Sequence, residues 1–354
     1  MRSFSLSGHL NSRDAPQKSR TPQATEQGGD SFITRRQAIL GAAAVALPLG
    51  AIGQSAWPSK AVTLVVPFPA GGGTDAFARP LSAQFSRLTG KTLVIDNRGG
   101  AGGTVGASIA AKAPADGYTL FMGGAHHMIA PSMYPKLDYD IEKDFVPLIQ
   151  VASVPQVLVV NPKHTTAATF KELLAQIKKS PGKMNYASAG AGSVHHLAGE
   201  LFKIQTKTFI THIPYRGAGP ALLDLIAGNV DMNFDGLGSS AAHIKAGRIK
   251  ALMVAGKQRN PAFPDVPCAA ELGLPDYNVS TWYGIWAPKG MPADMQKAAI
   301  ESIRKACQAD EAKAVWAAQG AVFPDVEGPQ FATLISSEIQ RWAQVVKASG
   351  AKLD

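Results

Sequence analysis

Leu64-Val-Val-Pro-Phe-Pro-Ala-Gly-Gly-Gly-Thr-Asp75 is the stretch from which the rest of the chain is best read. The β-branched, apolar run from Val62 to Val66 predicts a buried strand. Gly71, Gly72 and Gly73 end that run, and Thr74-Asp75 suits a helix start, with Thr74 as N-cap and Asp75 in the first turn. A strand, a glycine loop and a helix N-terminus leave several backbone N–H groups facing one small space. Those donors have no partner within the helix and the helix dipole is positive at that end, so the space favours an anion.

Outward from this loop, strand and helix signals alternate. Phe77, Leu81, Phe85 and Leu88 fall on one helical face that Gly90 closes, while Pro80 predicts a kink or a displaced start. Thr92–Ile95 is a second strand, followed by Asn97-Arg98-Gly-Gly-Ala-Gly-Gly-Thr104, read as a tight turn before a small-residue helix, Val105–Lys112. Tyr118–Met122 is a third strand, ending at His126 and His127. Ligands gather at such strand ends, but a loop histidine there is more often a structural hydrogen-bond donor. Val146–Val160 is extended and punctuated by Pro147 and Pro155, which predicts an interdomain crossing hinged near Val154–Val157.

After a helix from about Thr169 to Lys179 the opening pattern recurs. Met184–Ala187 is a short strand and Ser188-Ala-Gly190-Ala-Gly192-Ser193 a second loop. Val194, Leu197, Leu201 and Ile204 then follow at helical spacing. This is no dinucleotide fingerprint, because His195 stands at the third glycine position and no GxxxxGK occurs, so no nucleotide cofactor is expected. Amides and hydroxyls of this kind suit a single carboxylate. Further on come a strand at Phe209–Ile213, Pro214-Tyr-Arg-Gly-Ala-Gly-Pro220, a helix stopped by Gly228, and a strand ending at Asp235. Residues 248–255 add a strand, Ser280–Ala287 reads as the return crossing, and the chain beyond Pro288 is helical. The alternation predicts parallel sheets in two α/β lobes.

The 354 residues suffice for two domains, and 45% hydrophobic content with a mean hydropathy near zero describes a soluble globular protein. Of the net charge of +9, a third lies in the first 56 residues and the rest is scattered. A solvated basic surface at ease with small anions is the reading, and no nucleic-acid partner is expected. Cys268 and Cys307 form no CxxC and have no histidine at zinc spacing, so no metal is expected. They are open to two readings, a pair in an oxidising compartment or two small buried residues. Residues 1–33 are polar and expected to be disordered. Thr34-Arg35-Arg36 and the Ala-rich apolar run to Gly53 have the layout of an export signal, and the paired arginines resemble a twin-arginine signal with Ala38 in place of Phe. Cleavage near Ala56, with no cysteine after the apolar run, predicts a mature chain from Trp57 that is free in the periplasm.

Taken in order, these loops resemble those of the substrate-binding proteins of tripartite tricarboxylate transporters, the Bug or TctC-like family. The matching pieces are Pro67–Asp75, Asp96-Asn97-Arg98 with its glycine tail, His127–Pro131 with Tyr134, Tyr139–Phe145, Ser188–Ser193 with His196-Leu197, Pro214–Gly217 and Asp231–Asp235. The resemblance implies a two-lobed periplasmic binding protein fold of type II character, with two Rossmann-like lobes, a central cleft and two crossover segments. Lobe 1 is then residues 57–155 with 285–354, and lobe 2 is residues 156–284. It implies that Phe68, Ala70, Gly71, Gly72, Thr74 and Asp75 on one side, and Ser188, Ala189, Gly190, Gly192 and Ser193 on the other, hold one ligand carboxylate, with His196 and Asp235 nearby. It also implies delivery to membrane permease subunits, with no cofactor and no catalytic residue; a monomer is the default expectation. Two rival readings stand beside it. One is a binding protein that signals to a membrane sensor. The other is a hydrolase using Ser188 or Ser193 with His195 or His196, which would lack a G-x-S-x-G elbow.

Overall fold

The computed structural model describes residues 57–353, and the export signal, leader and cleavage position predicted over residues 1–56 lie outside the described residues. β1 (Val62–Val66) runs through the first glycine loop into α1 (Gly73–Thr89). β2 (Leu93–Asn97), α2 (Thr104–Ala111) and β3 (Thr119–Gly124) follow, and α3 (Ala125–Met133) begins directly at the end of β3. β4 (Phe145–Val160) is a 16-residue strand. After it come α4 (Phe170–Lys179), β5 (Asn185–Ser188), α5 (Val194–Thr206), β6 (Thr211–Pro214) and α6 (Ala218–Ala227). β7 (Met232–Gly236), α7 (Leu237–Lys245), β8 (Lys250–Val254) and β9 (Ser280–Pro288) complete the strands that matter for the site. The chain ends with α8 (Ala293–Gln308), α9 (Asp310–Ala318), the two-residue β10 (Val326–Glu327) and α10 (Gly328–Ser349).

The strands fall into two sets joined by β4 and β9. β1 pairs in parallel with β2 and β3, and β5 pairs in parallel with β6 and β7. β4 lies antiparallel to β9 from Phe145 to Pro155, then to β7 from Gln156 and to β8 from Val157. The long strand thus changes partner between Pro155 and Gln156, where a proline offers no N–H to a ladder. The sheets are mixed rather than parallel throughout. A strand that crosses directly from the other half, without a helical crossover, arrives running against its neighbours. β9 does so against β3.

Local chemistry explains most elements. α1 buries Phe77, Ala78, Leu81 and Phe85 completely, while Leu88 in its last turn is 52% exposed. Burial of the three large side chains contributes about 1.5–3 kcal/mol each. The helix continues through Pro80, and its N-cap is Gly72, two residues before the predicted Thr74. α4 starts on Thr169, whose hydroxyl accepts the Glu172 N–H. His126 and His127, predicted in a loop, occupy the first turn of α3. Cys268 and Cys307 are both buried and unpaired. α10 is fastened to β9 by Glu338, whose Oε2 accepts the indole N–H groups of Trp282 and Trp342, each at 3.1 Å. That contact fixes the strand carrying Thr281 and Tyr283, which the site uses.

Candidate functional site

The first wall is shaped by a carboxylate that does not itself face the cleft. Asp75, 2% exposed, accepts the Gly71 N–H at 2.9 Å, two Arg79 N–H groups at 2.7 and 3.0 Å, and the Asn97 amide at 3.3 Å. Asn97 Nδ2 also donates to the Phe68 carbonyl at 2.9 Å, so the loop is tied at both ends. With its shape set, the loop presents Phe68, Pro69, Ala70, Gly72, Gly73 and Thr74 to an inner chamber. No side chain caps α1 at Gly72, which leaves its first-turn amides without an intrahelical acceptor. A Cβ on Gly73 would lie 2.6 Å from the Tyr283 hydroxyl, so only glycine fits there. That hydroxyl is hydrogen-bonded to Thr74.

The second wall is built the same way. Ser188 is fully buried, with its Oγ 2.6 Å from His212 Nε2 and accepting the Gly190 N–H at 3.1 Å. His212 stacks on His196 at 3.9 Å, and His196 Nδ1 accepts the Gly192 N–H at 3.2 Å. Ser193 caps α5 by accepting the His196 N–H, and it also lines the inner chamber beside Ala189. Gly190 lines the wider mouth, together with Asn97, Tyr134, Tyr215 and Arg216. Of the residues expected at the ligand, Phe68, Ala70, Gly72, Thr74, Ala189 and Ser193 therefore meet in the inner chamber and Gly190 in its mouth. Asp75, Ser188, Gly192, His196 and Asp235 are buried behind the walls and hold them, and Gly71 is exposed on the outer side of the first loop.

A third helix start enters the chamber. Gly217, Ala218, Gly219 and Pro220, the N-cap and first turn of α6, all line it, and no side chain caps Gly217. The sequence carried the sign of this in a glycine followed by a proline in the first helical turn. His126, Val194, His195, Thr281 and Tyr283 complete the lining. Thr281 and Tyr283 belong to no motif, and only the pairing of β9 with β4 and β3 puts them there. Behind His195 lies Asp235, fully buried, with Oδ1 3.1 Å from His195 Nε2 and Oδ2 accepting the hydroxyls of Ser239, at 2.7 Å, and Ser240.

The two walls are in contact. A Cβ on Gly217 would lie 3.3 Å from Pro69, and one on Gly102 would lie 3.1 Å from the Ala191 carbonyl. Among the described residues, no Lys, Arg, Asp or Glu lines the inner chamber. Burial first, then the neighbouring charges of His127 and His195, pushes His126 well below the ordinary histidine range. Burial, with His196 and Lys203 adding to it, brings His212 down to about 3. The chamber thus offers neutral donors at three helix N-termini, each equivalent to roughly half a positive charge. A small anion can be held there with no buried cation left unpaired when it departs.

The family model described as "Tripartite tricarboxylate transporter family receptor" matches residues 77–351. The chain is 38% identical over 328 residues to protein BugT of Bordetella pertussis, covering 91% of this chain and 99% of that one. Its fold is similar to that of MatC from Rhodopseudomonas palustris with bound malate, with a TM-score of 0.77 and 33% identity over 82% of this chain and all of that one. It is similar also to R. palustris Rpa4515 with adipate, with a TM-score of 0.79 and 34% identity over 84% of this chain and all of that one.

Proposed function

This chain belongs to the tripartite tricarboxylate transporter receptor family, and from that premise we propose that it closes two lobes on one small organic carboxylate and delivers it to the membrane permease subunits of a tripartite transporter. The fold is that of the two-lobed periplasmic binding proteins. One observation carries the reading: three helix N-termini, α1 from one half and α5 and α6 from the other, converge on a chamber lined by no Lys, Arg, Asp or Glu among the described residues. Malate and adipate, the ligands of two solved relatives, are both small acids, and a clamp for a single carboxylate accepts either.

The lobes we assign are residues 57–155 with 285–354, and residues 156–284. The change of partner in β4 between Pro155 and Gln156 supports the first boundary. Closure is a hinge motion, and a ligand favours the closed state only through contacts to both lobes. The protein acts in the periplasm, a reading supported by the family and by the export-signal layout of residues 34–53, and we take it to act as a monomer. It binds its acid without turnover. The Ser188–His212 pair has the spacing of a nucleophile and base, but Ser188 is fully buried and outside the chamber lining. Calorimetric titration with a panel of di-, tri- and monocarboxylates tests the proposal. At least one acid binds and is recovered unchanged; a panel with no binder, or an acid that is consumed, sinks it.

A further inference from the structure

Two buried ring nitrogens in the chamber have no hydrogen-bond partner among the described residues: His195 Nδ1 and His126 Nε2. The two histidines come from opposite halves, His195 from the first turn of α5 and His126 from the first turn of α3. Both line the chamber, and they are close enough that a charge on His195 acts on His126. Asp235 Oδ1, itself without a hydrogen-bond partner, lies 3.1 Å from His195 Nε2, and a buried carboxylate at that distance favours the ring proton on Nε2, with Nδ1 then the lone-pair acceptor. A buried polar atom without a partner is costly, so the chamber is completed by a ligand group that supplies one.

The geometry points to a hydroxyl on the ligand, close to the captured carboxylate, that donates to His195 Nδ1 and accepts from the ring of His126. His195 is the second residue of the helix whose free amides face the carboxylate, so the hydroxyl sits on a neighbouring carbon. A hydroxyl both donates and accepts, whereas an ammonium group only donates. The site therefore selects 2-hydroxy acids over the same acids without the hydroxyl, with His195 and His126 as specificity-determining residues and Asp235 as a positioning residue. This rests on the carboxylate reading above.

The test is calorimetric titration of the purified protein with three matched pairs: malate and succinate, lactate and propionate, mandelate and phenylacetate. In at least one pair the hydroxy acid binds about tenfold or more tightly than its partner. In His195→Leu the ratio within a pair falls to within about threefold, whatever the change in absolute affinity, and His195→Asn, which retains an acceptor, recovers part of it. Equal affinities within every pair in the native protein, a ratio that survives His195→Leu, or aspartate binding more tightly than malate each overturn the hydroxyl assignment alone. Failure of every acid overturns the proposed function together with it. If His195→Leu melts well below the native protein, His126→Phe reads the same ratio from the opposite wall.

Discussion

His127 is buried, and its role is to tie the end of β3 to the glycine turn before α2. Its Nδ1 accepts the Gly124 N–H at 3.1 Å and its Nε2 lies 3.3 Å from the Gly103 carbonyl. Burial outweighs these bonds and brings its pKa from 6.5 down to about 4. The neutral ring is thus favoured by folding. Between about pH 6.5 and 4 the unfolded chain binds a proton that the folded protein does not, so the stability contribution is complete above 6.5 and is lost as the pH falls toward 4. The slope is up to about 1.4 kcal/mol per pH unit for each such group, and His126 and His212 act in the same direction. Thermal melts across this range show a falling midpoint, and His127→Asn makes the fall shallower; an unchanged slope in the variant removes His127 from the account. Ser188→Ala takes the acceptor from Gly190 N–H and the partner from His212, so we expect a loss of about 1–3 kcal/mol and weaker ligand binding. Denaturant unfolding with titration checks both. Ser188 was read as the first residue of the loop, but it is the last of β5 and lies buried behind the loop, because one-dimensional spacing does not say which way a hydroxyl turns.

At the scale of elements, the site is three helix starts held edge to edge. Gly219 lies in the first turn of α6, and the nearest atom to where its side chain would begin is the Gly71 carbonyl, at 3.8 Å. An alanine fits that gap and a leucine does not. We expect Gly219→Leu to keep the native melting temperature within a few degrees and to lower ligand affinity by about tenfold or more, because it keeps the α1 and α6 starts apart. Titration and melting together decide this, and unimpaired binding in Gly219→Leu shows that the two starts need not meet. Gly190 is a less clean probe than its place in the motif suggests. Its φ is +126° and a Cβ would lie 3.2 Å from the Tyr215 carbonyl, so Gly190→Val strains the loop as well as blocking the mouth. The two glycine loops were readable from strand, glycine and helix signals in series. α3 was not, because the glycines that close β3 and the paired histidines after it read as loop.

For the whole molecule the decisive feature is β4, one strand that serves two sheets and changes partner at Pro155/Gln156. With β9 beside it, the two halves are joined by a narrow band on which Thr281 and Tyr283 form part of the chamber. Closure on a ligand then has a measurable signature. Solution scattering gives a smaller radius of gyration with saturating acid than without it, and the change is absent in Gly219→Leu. The melting midpoint also rises with acid concentration, by about 2.7 kcal/mol of added stability at a hundred times the Kd. A radius that ignores a ligand shown to bind rules out hinge closure.

By itself the sequence determined the alternation of elements, the two glycine loops that lead into helix starts and the family whose order of loops it shares, because these depend on neighbours within a few residues. The loop amides of Gly71, Gly190 and Gly192, expected free, are bonded to Asp75, Ser188 and His196. Only the tertiary structure decided that α6 supplies a third helix start, that Asp75 and Ser188 lie behind the chamber lining and shape it, and that His126 and His195 line one chamber. Those facts depend on residues as far apart as Gly73 and Tyr283 being brought together by β9 pairing between β3 and β4, and no local pattern encodes such a pairing.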